Sequence, residues 1–165
     1  MDKTIQITHF TEKDWPYISA IYQEGIDTEK ATFETKVPTW DTFNNSHIKL
    51  CRIKAIINEA IVGWAALSPA SKREVYKGVA EISIYITSKY RGFGIGKLLL
   101  SQLIKESENN GFWTLQAGIF SSNKASIELH KHLGFREIGY REKIARLNNN
   151  WYDNTILERR SKKII

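Results

Sequence analysis

The segment Arg91-Gly92-Phe93-Gly94-Ile95-Gly96-Lys97 stands between a β-branched run, Val79 to Ile86, and a long amphipathic pattern carrying Ile95, Leu98, Leu99, Leu103 and Ile104. A strand handed to a helix through closely spaced glycines restricts the fold more than any other stretch of the chain. Glycine tolerates φ > 0 and, lacking a Cβ, lets a ligand approach the backbone. The first N–H groups of the following helix have no intrahelical acceptors and lie at the positive end of its dipole. An anion site is therefore expected here, and a pyrophosphate suits it. A Walker A loop needs Ser or Thr after Lys97, where Leu98 stands; a dinucleotide fingerprint needs its third glycine where Lys97 stands. An ordinary glycine-containing β–α turn has the same spacing and stays open at this point.

Around this turn the periodicities alternate. Ile5 to Phe10 reads as a first strand, and Thr11 as the N-cap of a helix carrying Trp15, Ile18, Ile21 and Tyr22 that fades near Gly25-Ile26. Thr28 to Pro38 reads as a loop, with a short helix starting at Thr39-Trp40-Asp41. Leu50 to Ile57 and Ile61 to Leu67 form a hairpin about Asn58-Glu59-Ala60, ended by the turn Ser68 to Ser71. After the strand Val79 to Ile86 comes a helix, Gly94 to Asn110, stopped by Asn110-Gly111. Thr114 to Phe120 is strand-like, and Ser122-Asn123 caps a helix bearing Ile127, Leu129 and Leu133. Two strands, Phe135 to Leu147 and Trp151 to Arg159, close the pattern through Asn148-Asn149-Asn150. The order β, α, α, β, β, β, α, β, α, β, β predicts an α/β (α+β) fold, a mixed central sheet flanked by helices.

The 165 residues carry no repeat or linker and are read as one domain, 1–165. Cys51 is the single cysteine, which excludes an internal disulfide and a multi-cysteine metal site, and it is read as a small core residue in a buried strand. His9 and His47 are too scattered to suggest a metal. Met1-Asp2-Lys3-Thr4-Ile5 lacks the regions of a signal peptide, and no apolar run reaches the ~20 residues of a membrane span. A cytoplasmic protein without membrane contact is expected. The net charge of +6 draws on Arg141, Lys143, Arg146, Arg159, Arg160, Lys162 and Lys163 near the end of the chain. These read as a solvated surface, and no element concentrates Arg, Lys and aromatics as a nucleic-acid reader does.

The spacing Arg91-x-x-Gly94-x-Gly96 resembles the pyrophosphate loop of the GNAT acetyltransferases. Asn123-x-Ala125-Ser126-Ile127-x-Leu129-His130-x-x-x-Gly134-Phe135 resembles their second cofactor motif, with His130 where Tyr is frequent. Ala31-Thr32-Phe33-Glu34-Thr35, Val62 to Pro69 and Gly78 to Ile86 resemble the phosphinothricin and methionine sulfoximine acetyltransferase branch, so that the likeness runs from about residue 5 to 158. It implies a GNAT fold and an acetyl-CoA-dependent N-acetyltransferase that needs no metal, acts on a small-molecule amine and forms a homodimer. It further implies that Arg91, Gly92, Phe93, Gly94, Ile95, Gly96 and Lys97 hold the cofactor's pyrophosphate. Asn123 and the backbone of Ile84, Tyr85 and Ile86 would contact the rest of it.

Acetyl transfer requires a neutral amine, and so a base. Glu81 lies among apolar Val79, Ala80, Ile82 and Ile84, which would desolvate its carboxylate and favour proton uptake near neutral pH. Alone it reads as a polar residue on the exposed face of a half-buried strand; the resemblance makes it the base. His130 is either a donor to the leaving thiolate or a proton relay, or else structural, while His132 reads as surface. The resemblance places Arg73 at an acceptor carboxylate, where a bidentate guanidinium fits, with Thr32, Phe33 and Tyr76 nearby. A protein N-terminus or a polyamine as acceptor, and a silent acetyl-CoA-binding module, are the competing readings.

Overall fold

The computed structural model describes residues 4–165; Met1 to Lys3, where the segment read as lacking a signal peptide begins, lie outside the described residues. The elements follow the predicted order: β1 (Gln6–His9), α1 (Trp15–Asp27), α2 (Trp40–Ser46), β2 (Ile53–Ile57), β3 (Ala60–Pro69), β4 (Val79–Ile86), α3 (Ile95–Asn109), β5 (Thr114–Phe120), α4 (Lys124–His132), β6 (Arg136–Leu147) and β7 (Asn150–Arg160). The strands form one sheet in the order β1-β2-β3-β4-β5-β7-β6. Every neighbouring pair is antiparallel except β4 and β5, so the sheet is mixed, with helices over its faces.

Local chemistry sets the turns. Asn58-Glu59 and Asn148-Asn149 all have positive φ, the geometry of two-residue hairpins whose twist matches the flanking strands. Thr39 caps α2 by accepting the Thr42 N–H at 3.2 Å. The second strand starts later than predicted, at Ile53, because Cys51 has φ 61 and breaks the extended run. Cys51 thus lies in a turn and not in a strand, yet it is buried, and burial pushes its thiol up to about 11. It is an inert core residue.

Alternation along the strands builds two cores. Ala80 on β4 and Leu115, Ala117 and Ile119 on β5 pack with Leu99, Leu100 and Leu103 of α3. On the opposite face Trp64 and Ala66 of β3 pack with Ile18, Ile21 and Tyr22 of α1 and Phe43 of α2. The basic end is less solvated than expected: Arg159 reaches back to the buried Glu108 at 2.9 Å and to the Leu133 carbonyl. It ties β7 to α3. Among the described residues no helix is long and apolar enough to cross a membrane.

Candidate active site

The parallel pair β4–β5 is registered only from Val79 to Glu81 against Thr114 to Gln116. Beyond that, β4 stays paired with β3 as far as Ile86, and β5 stays paired with β7 as far as Phe120. The two central strands therefore part, and their facing edges turn backbone groups into a wedge. A cleft of about 460 Å³ opens there. Thr32, Phe33 and Glu34 close one side, Glu81 to Tyr85 and Ala117 to Phe120 form the floor, and Asn123, Ser126, His130 and Asn154 complete it.

The glycine turn follows β4. Gly92 and Gly94 have φ of 81° and 79°, which side chains rarely adopt, and a Cβ on either would meet nothing within 4 Å. Their backbone is open on one side. Gly96 serves another purpose: a Cβ there would lie 3.1 Å from Ile86 Cδ1 and Leu129 Cδ2, so its bareness lets α3 pack on β4 and α4. The α3 ladder begins with Leu98 N–H donating to the Gly94 carbonyl at 3.2 Å, which leaves the amides of Ile95 to Lys97 without intrahelical acceptors. The turn is braced from α1, whose Glu24 carboxylate accepts from Thr87 Oγ1 and Ser88 N–H, each at 2.8 Å. Burial alone would raise the Glu24 carboxyl, but these bonds outweigh it and hold the group below its ordinary range. A braced, open arc of amides beside an unpaired strand edge fits a pyrophosphate joined to an amide-bearing arm.

Across the wedge, Asn123 caps α4 by accepting the Ser126 N–H at 3.2 Å. His130 is 2% exposed, with Nδ1 2.7 Å from the Ser126 carbonyl. A carbonyl only accepts, so Nδ1 carries the proton. Burial holds the imidazole below its ordinary value, against the opposing effect of that bond. The ring is therefore neutral, and Nε2 is a bare acceptor, buried and without a hydrogen-bond partner among the described residues. His132 is exposed, as expected.

Glu81 departs from its expected setting. Its neighbours Ala80, Ile82 and Ile84 belong to the α3 face, whereas Glu81 points to the other and is exposed. Its strand neighbours thus do not cover it, because adjacent residues face opposite ways. On the same face Phe33 packs on Phe120 at 4.3 Å, and Tyr152 lies 5.1 Å from Phe120, an aromatic wall between the loop after α1 and the sheet. Thr32 sits beside Tyr22 and Tyr85, both phenols being raised by burial. Arg73 and Tyr76 are exposed in the β3–β4 connection, the guanidinium 5.7 Å from the Tyr76 ring, and neither lines the cleft. No group of His, Cys, Asp and Glu that could hold a metal ion occurs among the described residues.

Residues 8–135 match the model of the acetyltransferase (GNAT) family. The chain belongs to that family. Its sheet and flanking helices are the mixed α/β GNAT fold, and it superposes with a TM-score of 0.84 on a GNAT superfamily phosphinothricin acetyltransferase from Sinorhizobium meliloti solved in complex with acetyl-CoA. That pair is 29% identical, over 95% of this chain and 88% of the other. A ribosomal-protein-alanine N-acetyltransferase from Brucella melitensis superposes with a TM-score of 0.85 at 28% identity, over 94% of this chain and 99% of that one. In sequence this GNAT chain is 33% identical over 154 residues to an L-methionine sulfoximine/L-methionine sulfone acetyltransferase of Pseudomonas paraeruginosa, covering 88% of each.

Sequence reasoning missed Tyr22, Ser83 and Asn154 as lining residues of this GNAT cleft. A signal existed for Asn154. Asparagine is depleted in strands, and this one, with Asp153, interrupts β7 between Tyr152 and Thr155.

Proposed function

We propose that this GNAT protein transfers the acetyl group of acetyl-CoA to the α-amino group of a small free amino acid or analogue, of the type of phosphinothricin or methionine sulfoximine and sulfone. The observation that carries this reading is the cleft between β4 and β5. One of its walls is β4, the strand that leads on to the open glycine turn, and its lining holds an aromatic wall and a carboxylate. Kinship with the methionine sulfoximine and phosphinothricin acetyltransferases supports the acceptor class.

Each side chain then has a task. Arg91 to Lys97 and Asn123 bind acetyl-CoA, with the β4 edge at Ile84 to Ile86 along its arm; when bound it supplies the thioester acyl group. Glu81 accepts a proton from the amine, directly or through water. His130, with Nε2 bare, is suited to accept a hydrogen bond or a proton, whereas donation to a thiolate could follow only after such uptake, from a buried imidazolium. Thr32 and Phe33 bound the acceptor. Arg73 and Tyr76 reach it from the rim, and the active species is a homodimer.

The test is a screen of free amino acids and analogues with acetyl-CoA, read as released thiol, repeated on Arg73→Ala. An amide of the best substrate loses the carboxylate charge, and a lost charge-assisted hydrogen bond is worth about 1.5–3 kcal/mol, or about 10- to 150-fold in kcat/KM. Arg73→Ala is expected to erase that preference for acid over amide. Equal slowing of both would remove Arg73 from the acceptor site. A second reading has its own support: the titratable lining of the cleft includes Glu34 and Glu81 but neither Lys nor Arg. That suits a cationic acceptor such as a peptide N-terminus or a polyamine, and faster acetylation of those amines than of every free amino acid would favour it. A silent module would release no thiol with any amine.

A further inference from the structure

We propose that Asn154 orients the acceptor amine, its side-chain oxygen accepting one amine N–H; the assignment rests on the acetyl-transfer reading above. The residue lies on β7, opposite Phe120 of β5, and Ile156 lies opposite Gly118. Its side chain runs diagonally over Gly118, where an added Cβ would come within 3.1 Å of Asn154 Nδ2. The φ of Gly118 is not positive, so backbone freedom does not call for glycine at this position. The missing side chain makes room for the Asn154 amide.

With the amide over Gly118, its Oδ1 is buried, lines the cleft and has no hydrogen-bond partner among the described residues. A buried carboxamide oxygen without a donor is unfavourable, and such atoms collect where a ligand supplies the missing group. Sheet parity says which ligand. Gly118 and Phe120 share a face with Asn154 and Tyr152, and Glu81 lies on the corresponding face of β4. His130, the other buried acceptor, belongs to α4, which packs on the opposite face of β5. Asn154 therefore faces the acceptor pocket, and the one donor group every acceptor must carry is its amine.

A reactive primary amine has two N–H bonds and one lone pair. With one N–H directed to Asn154 Oδ1 and the other to Glu81, directly or through water, the lone pair is turned toward the wedge. Such orientation lowers the barrier without any new chemistry. A secondary amine has a single N–H and cannot satisfy both.

The experiment compares kcat/KM for the best amino acid with that for its N-methyl derivative, beside acetyl-CoA affinity by calorimetry. Asn154→Ala is expected to lower the primary-amine value about tenfold, to leave the N-methyl value nearly unchanged, and to leave acetyl-CoA affinity intact. Gly118→Ala, which displaces the amide without removing it, should lower the same ratio in the parent protein and have no further effect beside Asn154→Ala. It serves alone if Asn154→Ala does not fold. Equal losses on both amines, an unchanged ratio, or weakened acetyl-CoA binding would each overturn the assignment. Absence of acetyl transfer by the unmodified protein to any amine would instead overturn the reading it rests on.

Discussion

Glu81→Gln is expected to lower kcat by about 10²- to 10⁴-fold, the range for removal of a general base. The substitution keeps shape and polarity but ends proton uptake. Because Glu81 is exposed and its β4 neighbours Ala80 and Ile82 face the other core, stability should change by no more than about 0.5 kcal/mol. Acetyl-CoA affinity should hold as well, since the glycine turn lies beyond the far end of β4. The loss should then fall on kcat and kcat/KM together, the pattern of an interaction made in the transition state. It should also shrink at high pH, where more of the amine is already neutral in solution. Turnover close to that of the parent protein from about pH 6 to 9 would remove Glu81 from the role.

How much of this was legible in advance depends on the range of the cause. β4 and β5 were readable to the residue because β-branched runs and their bounding turns are local signals. The glycine turn was readable because φ > 0 at Gly92 and Gly94 is a demand on those residues themselves. The setting of Glu81 was not. Which strand face receives helix cover is decided by α1 and α3 packing from opposite sides, and the apolar neighbours of Glu81 were credited to the wrong face. His130 was visible as part of a spacing, yet its tautomer depends on the Ser126 carbonyl standing 2.7 Å from Nδ1. Asn154 and Gly118 are distant in sequence and meet only through the β5–β7 register. Arg73 was identified by likeness alone, and the fold leaves it exposed in the β3–β4 connection, outside the lining of the cleft.

Gly94→Val is expected to weaken acetyl-CoA binding by about 100-fold or more while the protein remains folded. At φ 79° Gly94 occupies left-handed space at the N-cap of α3, a conformation that a β-branched residue strongly resists. The variant has two ways to respond. If the backbone keeps its path, the side chain projects into the open side of the turn, where no protein atom lies within 4 Å of the Cβ but where an anion must approach. If the backbone relaxes, the amides of Ile95 to Lys97 no longer converge. Either response removes hydrogen bonds to a charged group, and two of them at about 1.5 kcal/mol each account for a factor above ~100. Gly96→Ala is the control, because its Cβ would press on Ile86 and Leu129 and so act on helix packing before it acts on the amides. Calorimetric titration with acetyl-CoA, beside a thermal melt of each variant, separates the two. Unchanged affinity in Gly94→Val would mean that the pyrophosphate is held elsewhere. Equal loss in both variants would mean that the turn acts through the fold and not through its open face.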